Sequence, residues 1–410
     1  MPPPESIDVL AAHERVRAAR QHIERSDEVT LARQAALSAI PAPTGAEGAR
    51  GAKLAALFGE AGLADVTVDE VGNVTGWLGA RRDDPVVLSA HLDTVFGDGL
   101  DVSVARRGGR LEGPGISDNA RGLAALVAVA EALVRSRLCT VRPVRFIATV
   151  GEEGDGNLRG VRHLFDGRVG AQHAAALREP PMRPHAFIAL DGAGLERIVH
   201  RALGARRYRA AYLGPGGHSW AAFGVANPAN AVGRAVSFVA DLPTPHAPRT
   251  TCAVVRLGGG TGLNSIPQEA WLDLDLRSED PRALAQLDET VQAALARALA
   301  DENGHRAAGT PPLSLDLRRV GDRPSGLTPR AHPLVQAAIA ATRALGRPHE
   351  LACASTDANV PIALGVPAIA LGAGGHAGDA HLPSEWYENV DGALGVVRAL
   401  LVTAAMAEVQ

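Results

Sequence analysis

Three largely apolar runs, Pro85 to His91, Val144 to Val150 and Ala186 to Leu190, each give way to a histidine or a carboxylate, and helical patterns separate them. A strand that is apolar on both faces must be covered on both sides, as in a mostly parallel α/β sheet flanked by helices. In such sheets the groups that follow successive strands gather along one rim. His91, Asp93, Glu152, Glu153 and Asp191 are therefore expected to share an edge.

The rhythm changes near His200. Strand Tyr208 to Leu213, helix Ala229 to Ala240, strands Thr251 to Leu257 and Ala270 to Arg277, helix Arg282 to Ala300 and strand Leu313 to Arg319 spell β-α-β-β-α-β, the order of a ferredoxin-like sandwich. From Pro333 the first pattern returns with a helix to Leu345, a strand Ala368 to Leu371 and a closing helix Asp391 to Ala407. The expected organisation is a first domain made of residues 1–198 and 321–410, with residues 199–320 inserted. Ahead of the first sheet strand, residues 5–39 carry helical periodicity that Ser26 splits in two, and Thr44 is placed to cap a third helix through Leu57.

Composition excludes several chemistries. Of 41 basic residues only Lys53 is a lysine, and it lies in a helical apolar pattern, so a Schiff base or a phosphate-loop lysine has nowhere to sit. The arginine excess is read as nucleotide composition rather than function. The 3 cysteines are too far apart for a C-x-x-C clip, which points to a reducing, cytoplasmic address. A net charge of −4 without a basic stripe argues against nucleic acid. The N-terminus has no basic-then-apolar secretory block, and the longest uncharged stretch, Ala358 to Gly375, is cut by Pro361, Gly365, Pro367 and Gly372, so no membrane partner is expected.

The local motifs are each open to two readings. His91 and Asp93 lie two apart and can face the same way, as a structural pair or as a metal ligand with its supporting carboxylate. Asp118, at the end of the glycine-rich run Leu111 to Ala120, is either an ordinary helix N-cap or a site carboxylate. The adjacent Glu152 and Glu153 diverge, so one can reach a metal while the other faces substrate or water. Arg277 can pair with Glu279 or Asp280, or grip a carboxylate with its planar fork. Of the late histidines, His376 and His381 compete.

Taken in order, H-x-D-T-V from His91, G-x-S-D-N ending at Asn119, G-E-E-G around Glu152, Asp191 after a strand and H-x-x-x-E from His381 resemble the co-catalytic zinc hydrolases that include aminoacylase, acetylornithine deacetylase, succinyl-diaminopimelate desuccinylase, carboxypeptidase G and peptidase T. The loops Cys353 to Asn359 and Gly372 to His376 are most similar to the peptidase T and carboxypeptidase G branch. The resemblance implies a phosphorylase/hydrolase-like mixed sheet with an inserted dimerisation or lid domain. It also implies two divalent metals, most often zinc, with manganese or cobalt as substitutes. His91 and Asp191 would hold one, Glu153 and His381 the other, and Asp118 would bridge them, followed by a cis peptide to Asn119. Asp93 would orient His91, and Glu152 would act as general base on a water between the metals. His218, Asn264 and Arg277 would face the substrate, His218 by stabilising the oxyanion, and the protein would be a homodimer through the inserted domain. Asp357 would support the site from behind. The expected activity is amide hydrolysis in short peptides or N-acyl amino acids. Its alternatives are an amidohydrolase of a non-peptide carbamoyl or acyl-amine amide, and a binding protein with a decayed site.

Overall fold

A computed structural model of the chain describes residues 7–80, 83–166 and 182–410, so the helical reading at residues 5 and 6 lies outside the described residues. The chain divides into two compact units, one formed by residues up to Ala202 with Leu327–Gln410, the other by Leu203–Gly326. The crossings thus fall a few residues beyond the expected 198/199 and 320/321, because the strands Arg197–Ala202 and Ser314–Arg323 run through those positions.

The first unit is built on a mixed sheet. Its centre is the strand Val86–His91, flanked in parallel by Val144–Thr149 and Ala186–Leu190. Every residue of these three strands is buried, as continuous apolar runs require. Ala368–Leu371 continues the sheet in parallel with Ala186–Leu190, and Arg197–Ala202 then runs antiparallel to it. At the other edge the hairpin Ala64–Val68 and Val74–Leu78 pairs antiparallel with Val144–Thr149. The helix Ala120–Arg135 lies against the sheet, its apolar face joined by Leu400, Val397 and Val335 in one continuous core. Burying each leucine of such a helix contributes about 2 kcal/mol, which sets the helix start, and the loop before it, in a fixed place.

The second unit is the expected β-α-β-β-α-β sandwich. Its strands stand in the order Thr250–Gly259, Glu269–Ser278, Gly204–Leu213, Ser314–Arg323, all antiparallel, with helices Pro228–Ala240 and Pro281–His305 packed on the sheet. Two capping expectations are corrected. Ser26 separates Glu14–Arg25 from Asp27–Ser38, but its hydroxyl donates back to the His22 carbonyl at 2.8 Å rather than capping. Thr44 caps nothing: the helix begins at Gly48, and the Thr44 hydroxyl donates instead to Asp93. Among the described residues no helix is long and apolar enough to cross a membrane.

Candidate metal centre

Because the three central strands are parallel, their carboxyl ends open on the same side, with His91 at the end of one and Glu152, Glu153 and Asp191 just beyond the ends of the others. His91 closes the first strand, 3% exposed. Its Nε2 stands 3.0 Å from Asp118 Oδ1 and 3.8 Å from Asp191 Oδ1. On the far side of Asp118, His381 Nε2 lies 3.2 Å from Oδ2 and 3.2 Å from Glu153 Oε1. One carboxylate is thereby shared between two sets, His91 with Asp191 and His381 with Glu153. His91, Asp118 and Glu153 also form a group whose ligand atoms all lie within 4.8 Å of one another. His376, the competing histidine, sits on the short strand His376–Gly378 and takes no part in these pairs.

Asp118 reaches this position because it is not the helix cap. Asn119 is: its Oδ1 accepts from Gly122 N at 3.1 Å and from Gly192 N at 3.2 Å, and its Nδ2 donates to Leu190 O at 2.9 Å. Asn119 so ties the loop of Asp118 to the loop of Asp191 and leaves the Asp118 side chain free to turn into the cluster. The Asp118–Asn119 peptide is cis. Gly115, at φ +70°, begins this turn, and a Cβ there would stand 2.6 Å from Thr94 Cγ2, so only glycine fits.

Asp93 works differently from the expectation. Its backbone carbonyl, 3.0 Å from His91 Nδ1, fixes the ring, while the nearer carboxylate oxygen stands at 3.6 Å. With Nδ1–H donating to that carbonyl, Nε2 is the ring nitrogen turned toward the carboxylates. The Asp93 carboxylate instead accepts from Glu152 N and Glu153 N, both at 2.9 Å, and from the Thr44 hydroxyl at 2.8 Å. Burial would raise its pKa, but His91 and these two N–H donors hold it below the ordinary range. Glu152 is buried beside it at 5% exposure, while Glu153 turns to His381.

Buried charges set the surrounding backbone. Arg50, 1% exposed, donates to Leu92 O at 2.7 Å and to Ile40 O at 2.7 Å, pinning the turn between His91 and Asp93. Burial lowers its pKa to about 10. Arg121 holds Ala373 O and Gly392 O, and Arg398 holds Gly372 O and Leu195 O. A fork of five donors suits carbonyl groups that no strand or helix satisfies, so at these three positions the arginine excess is structural.

Glu385 is the functional residue that motif reading passed over. It is wholly buried and accepts from Gly115 N at 3.0 Å, Ser117 N at 2.8 Å and Asp118 N at 2.8 Å. The segment that carries His381 thus grips the loop that carries Asp118. Burial drives the Glu385 pKa up to about 7 against these three donors. The signal is present in the sequence as the glutamate of H-x-x-x-E, four residues after His381. Glu385→Gln puts an NH₂ against one of the N–H groups, and metal affinity is expected to fall about 10–100-fold, as for other groups that orient a ligand. Chelator competition measures it, and unchanged affinity would remove Glu385 from this role.

The charge balance fits metal. Burial opposes a charge on His91, yet Asp118, Asp191 and Asp93 raise its pKa well above normal. Hydrogen bonds that His381 donates to Asp118 and Glu153 lift its pKa to about 10. Asp118 is driven well below the usual range against its own burial by the two histidines. Its Oδ1 is nevertheless buried with no aligned hydrogen-bond partner, although His91 Nε2 is 3.0 Å away. A carboxylate oxygen and an imidazole nitrogen turned toward each other at this distance, poorly aligned for a hydrogen bond, are also what two ligands of one cation present. Two imidazoles, three carboxylates and no thiolate suit zinc, manganese or cobalt. Metal uptake must displace the imidazole protons, so affinity rises with pH.

The substrate-facing candidates lie in the second unit. The strand Gly217–His218 pairs with Ser265–Ile266, and Ser219 N donates to Asn264 O at 2.8 Å, so the His218 and Asn264 loops meet. His218 Nδ1 accepts from Trp220 N at 3.2 Å, which places its proton on Nε2 as a free donor. Arg277 is engaged by Asp275 at 2.7 Å, not by Glu279 or Asp280. Asp357, in the first unit, is 3% exposed, accepts from the Thr149 hydroxyl at 2.5 Å and is raised to about 6 by burial.

The profile of peptidase family M20/M25/M40 matches residues 87–407, a span that contains every member of this cluster. The chain belongs to that family. It is a metal-dependent amide hydrolase. No curated protein sequence matches it. Among solved structures it is similar to the aminopeptidase PepT of Bacillus cereus, at 20% identity and TM-score 0.70 over 93% of this chain and 99% of that one. An amidase of the hydantoinase/carbamoylase family from Burkholderia vietnamiensis gives 20% identity and TM-score 0.71 over 95% and 97%. The YXEP protein of Bacillus subtilis, described as a dinuclear metal binding peptidase, gives 16% and 0.64 over 93% and 98%. At these identities the likeness is one of fold.

Proposed function

We propose that the chain hydrolyses the amide bond of short peptides or N-acyl amino acids with two divalent metals, zinc foremost. His91 and Asp191 would hold one, His381 and Glu153 the other, with Asp118 between the two sets. The observation that carries this reading is Asp118 itself, a single carboxylate with one oxygen 3.0 Å from His91 and the other 3.2 Å from His381. Metal ions held by these residues would supply polarisation of the scissile carbonyl and acidification of a water. Glu152, buried beside the cluster, would take the proton from the attacking water and return one to the departing amine. Asp93 holds the backbone of Glu152 and Glu153 and, through its carbonyl, the ring of His91. His218 offers its Nε2–H to the developing oxyanion, and Asn264 and Arg277 complete the substrate contacts.

A second reading, hydrolysis of a carbamoyl or acyl-amine amide by the same groups, draws support from the similarity to the hydantoinase/carbamoylase amidase. Three free cysteines accord with a cytoplasmic address. The open edge strand Thr250–Gly259, with Val255 and Leu257 exposed, accords with a homodimer through the second unit.

The test is metal quantification on the purified protein, then hydrolysis of a mixed library of dipeptides, N-acyl amino acids and carbamoyl amino acids. Two equivalents of metal and turnover confined to peptides and acyl amino acids are expected. Turnover of carbamoyl compounds alone would select the second reading, and a protein that retains no metal after reconstitution would reject both.

A further inference from the structure

A cavity of about 580 Å³ in the first unit is lined by Asp118 and Asp191 of the metal cluster and also by Arg197, Val199, Ser355 and Thr356. Its volume is that of a small-ligand site. Arg197 and Val199 alternate onto one face of the strand Arg197–Ala202, and Ala370, the register partner of Val199, lines the same space. The backbone here is held fast: buried Arg398 donates to Arg197 O at 3.3 Å and to Gly372 O at 2.7 Å, thereby joining two walls of the cavity.

Arg197 is exposed, and among the described residues its guanidinium has no ion-pair or hydrogen-bond partner. Glu350, opposite it in the strand register, does not engage it. Arg277, by contrast, already has its Nε on Asp275. Once Asp118 and Asp191 are committed to metal, Arg197 is the permanent charge left on the cavity wall. Guanidinium is charged at every working pH and meets a carboxylate with two parallel hydrogen bonds.

We propose that Arg197 is a specificity-determining residue that binds a carboxylate of the substrate, so that the preferred substrates are anionic amides. This rests on the hydrolase reading above and extends it. A site built around a charged donor rejects the analogue that lacks the partner, because the donor is then left unpaired in a partly desolvated pocket.

The carboxylate can be the α-carboxylate or an acidic side chain, and four matched probes separate them. Ala-Glu carries both, Ala-Gln only the α-carboxylate, Ala-Glu α-amide only the side-chain acid, and Ala-Gln amide neither; the N-acetyl series repeats the pattern. With the zinc-loaded protein, kcat/KM for at least one singly anionic member is expected to exceed that of the neutral member by about 10–100-fold. Arg197→Met is expected to bring that ratio close to one through KM, and Arg197→Lys to retain part of it. Thermal melting checks that both variants are folded. A ratio unchanged in Arg197→Met overturns the proposal, and its collapse in Arg277→Met would transfer the role there. If wild type hydrolyses no member, the fault lies with the assigned activity, and Arg197 is judged by calorimetry instead. N-acetylglutamate should bind zinc-loaded wild type about tenfold more tightly than Arg197→Met, and equal affinities overturn the proposal.

Discussion

Glu152→Gln should keep its full complement of metal and lose turnover by about 10²–10⁴-fold. The amide has the shape of the carboxylate but no basic lone pair, so it cannot take a proton from water. The link between Glu152 and Asp93 is made by the backbone N–H at 2.9 Å, which the substitution leaves in place, and the neighbouring Glu153 keeps its own bond to Asp93. Metal content by elemental analysis and kcat on the same preparation read the two halves of the prediction. Full activity in this variant would sink the assigned mechanism, and lost metal would mean that Glu152 is a ligand.

Asp118→Asn is expected to be more disruptive, because one residue serves both metal positions. The amide keeps one acceptor oxygen and loses the charge, so the two histidines no longer face a shared anion. At least one metal should be lost, with affinity reduced beyond the roughly 10–100-fold that follows removal of a merely supporting group. The metal-free protein gives an independent readout. Hydrogen bonds that His381 donates to Asp118 and Glu153 raise its pKa to about 10, so this contact stabilises the fold fully below pH 6.5 and the contribution disappears as pH rises through about 10. In Asp118→Asn the His381 pKa should fall back toward its ordinary value, as imidazole NMR titration would show. A His381 that titrates unchanged would place its partner elsewhere.

The strand ends were readable from residue pattern because the information is local. A continuous apolar run followed by a polar residue defines both a buried strand and the group at its end, and parallel order places those groups together. This much brought His91, Asp93, Glu152, Glu153 and Asp191 to one rim, while the division of roles among them came only from the family resemblance. The β-α-β-β-α-β rhythm of the second unit was legible for the same reason, period by period. Asp118 was not: its position at a helix start fits an N-cap equally well, and only the presence of Asn119 as the actual cap released it. Thr44 shows the converse, a good capping residue drawn away by the Asp93 carboxylate.

Amino-acid order by itself determined the fold class, the insertion and the set of ionisable residues from which a site can be made. The choice among them was made by contacts between segments far apart in the chain. His381 rather than His376 meets Asp118, Glu385 grips the Asp118 loop across 267 residues, and Arg50, Arg121 and Arg398 turn inward to satisfy carbonyls of the site loops. The physical reason is that periodicity reports which face of an element is buried, whereas the partner of a buried charge depends on which unsatisfied backbone groups the closed fold brings within reach.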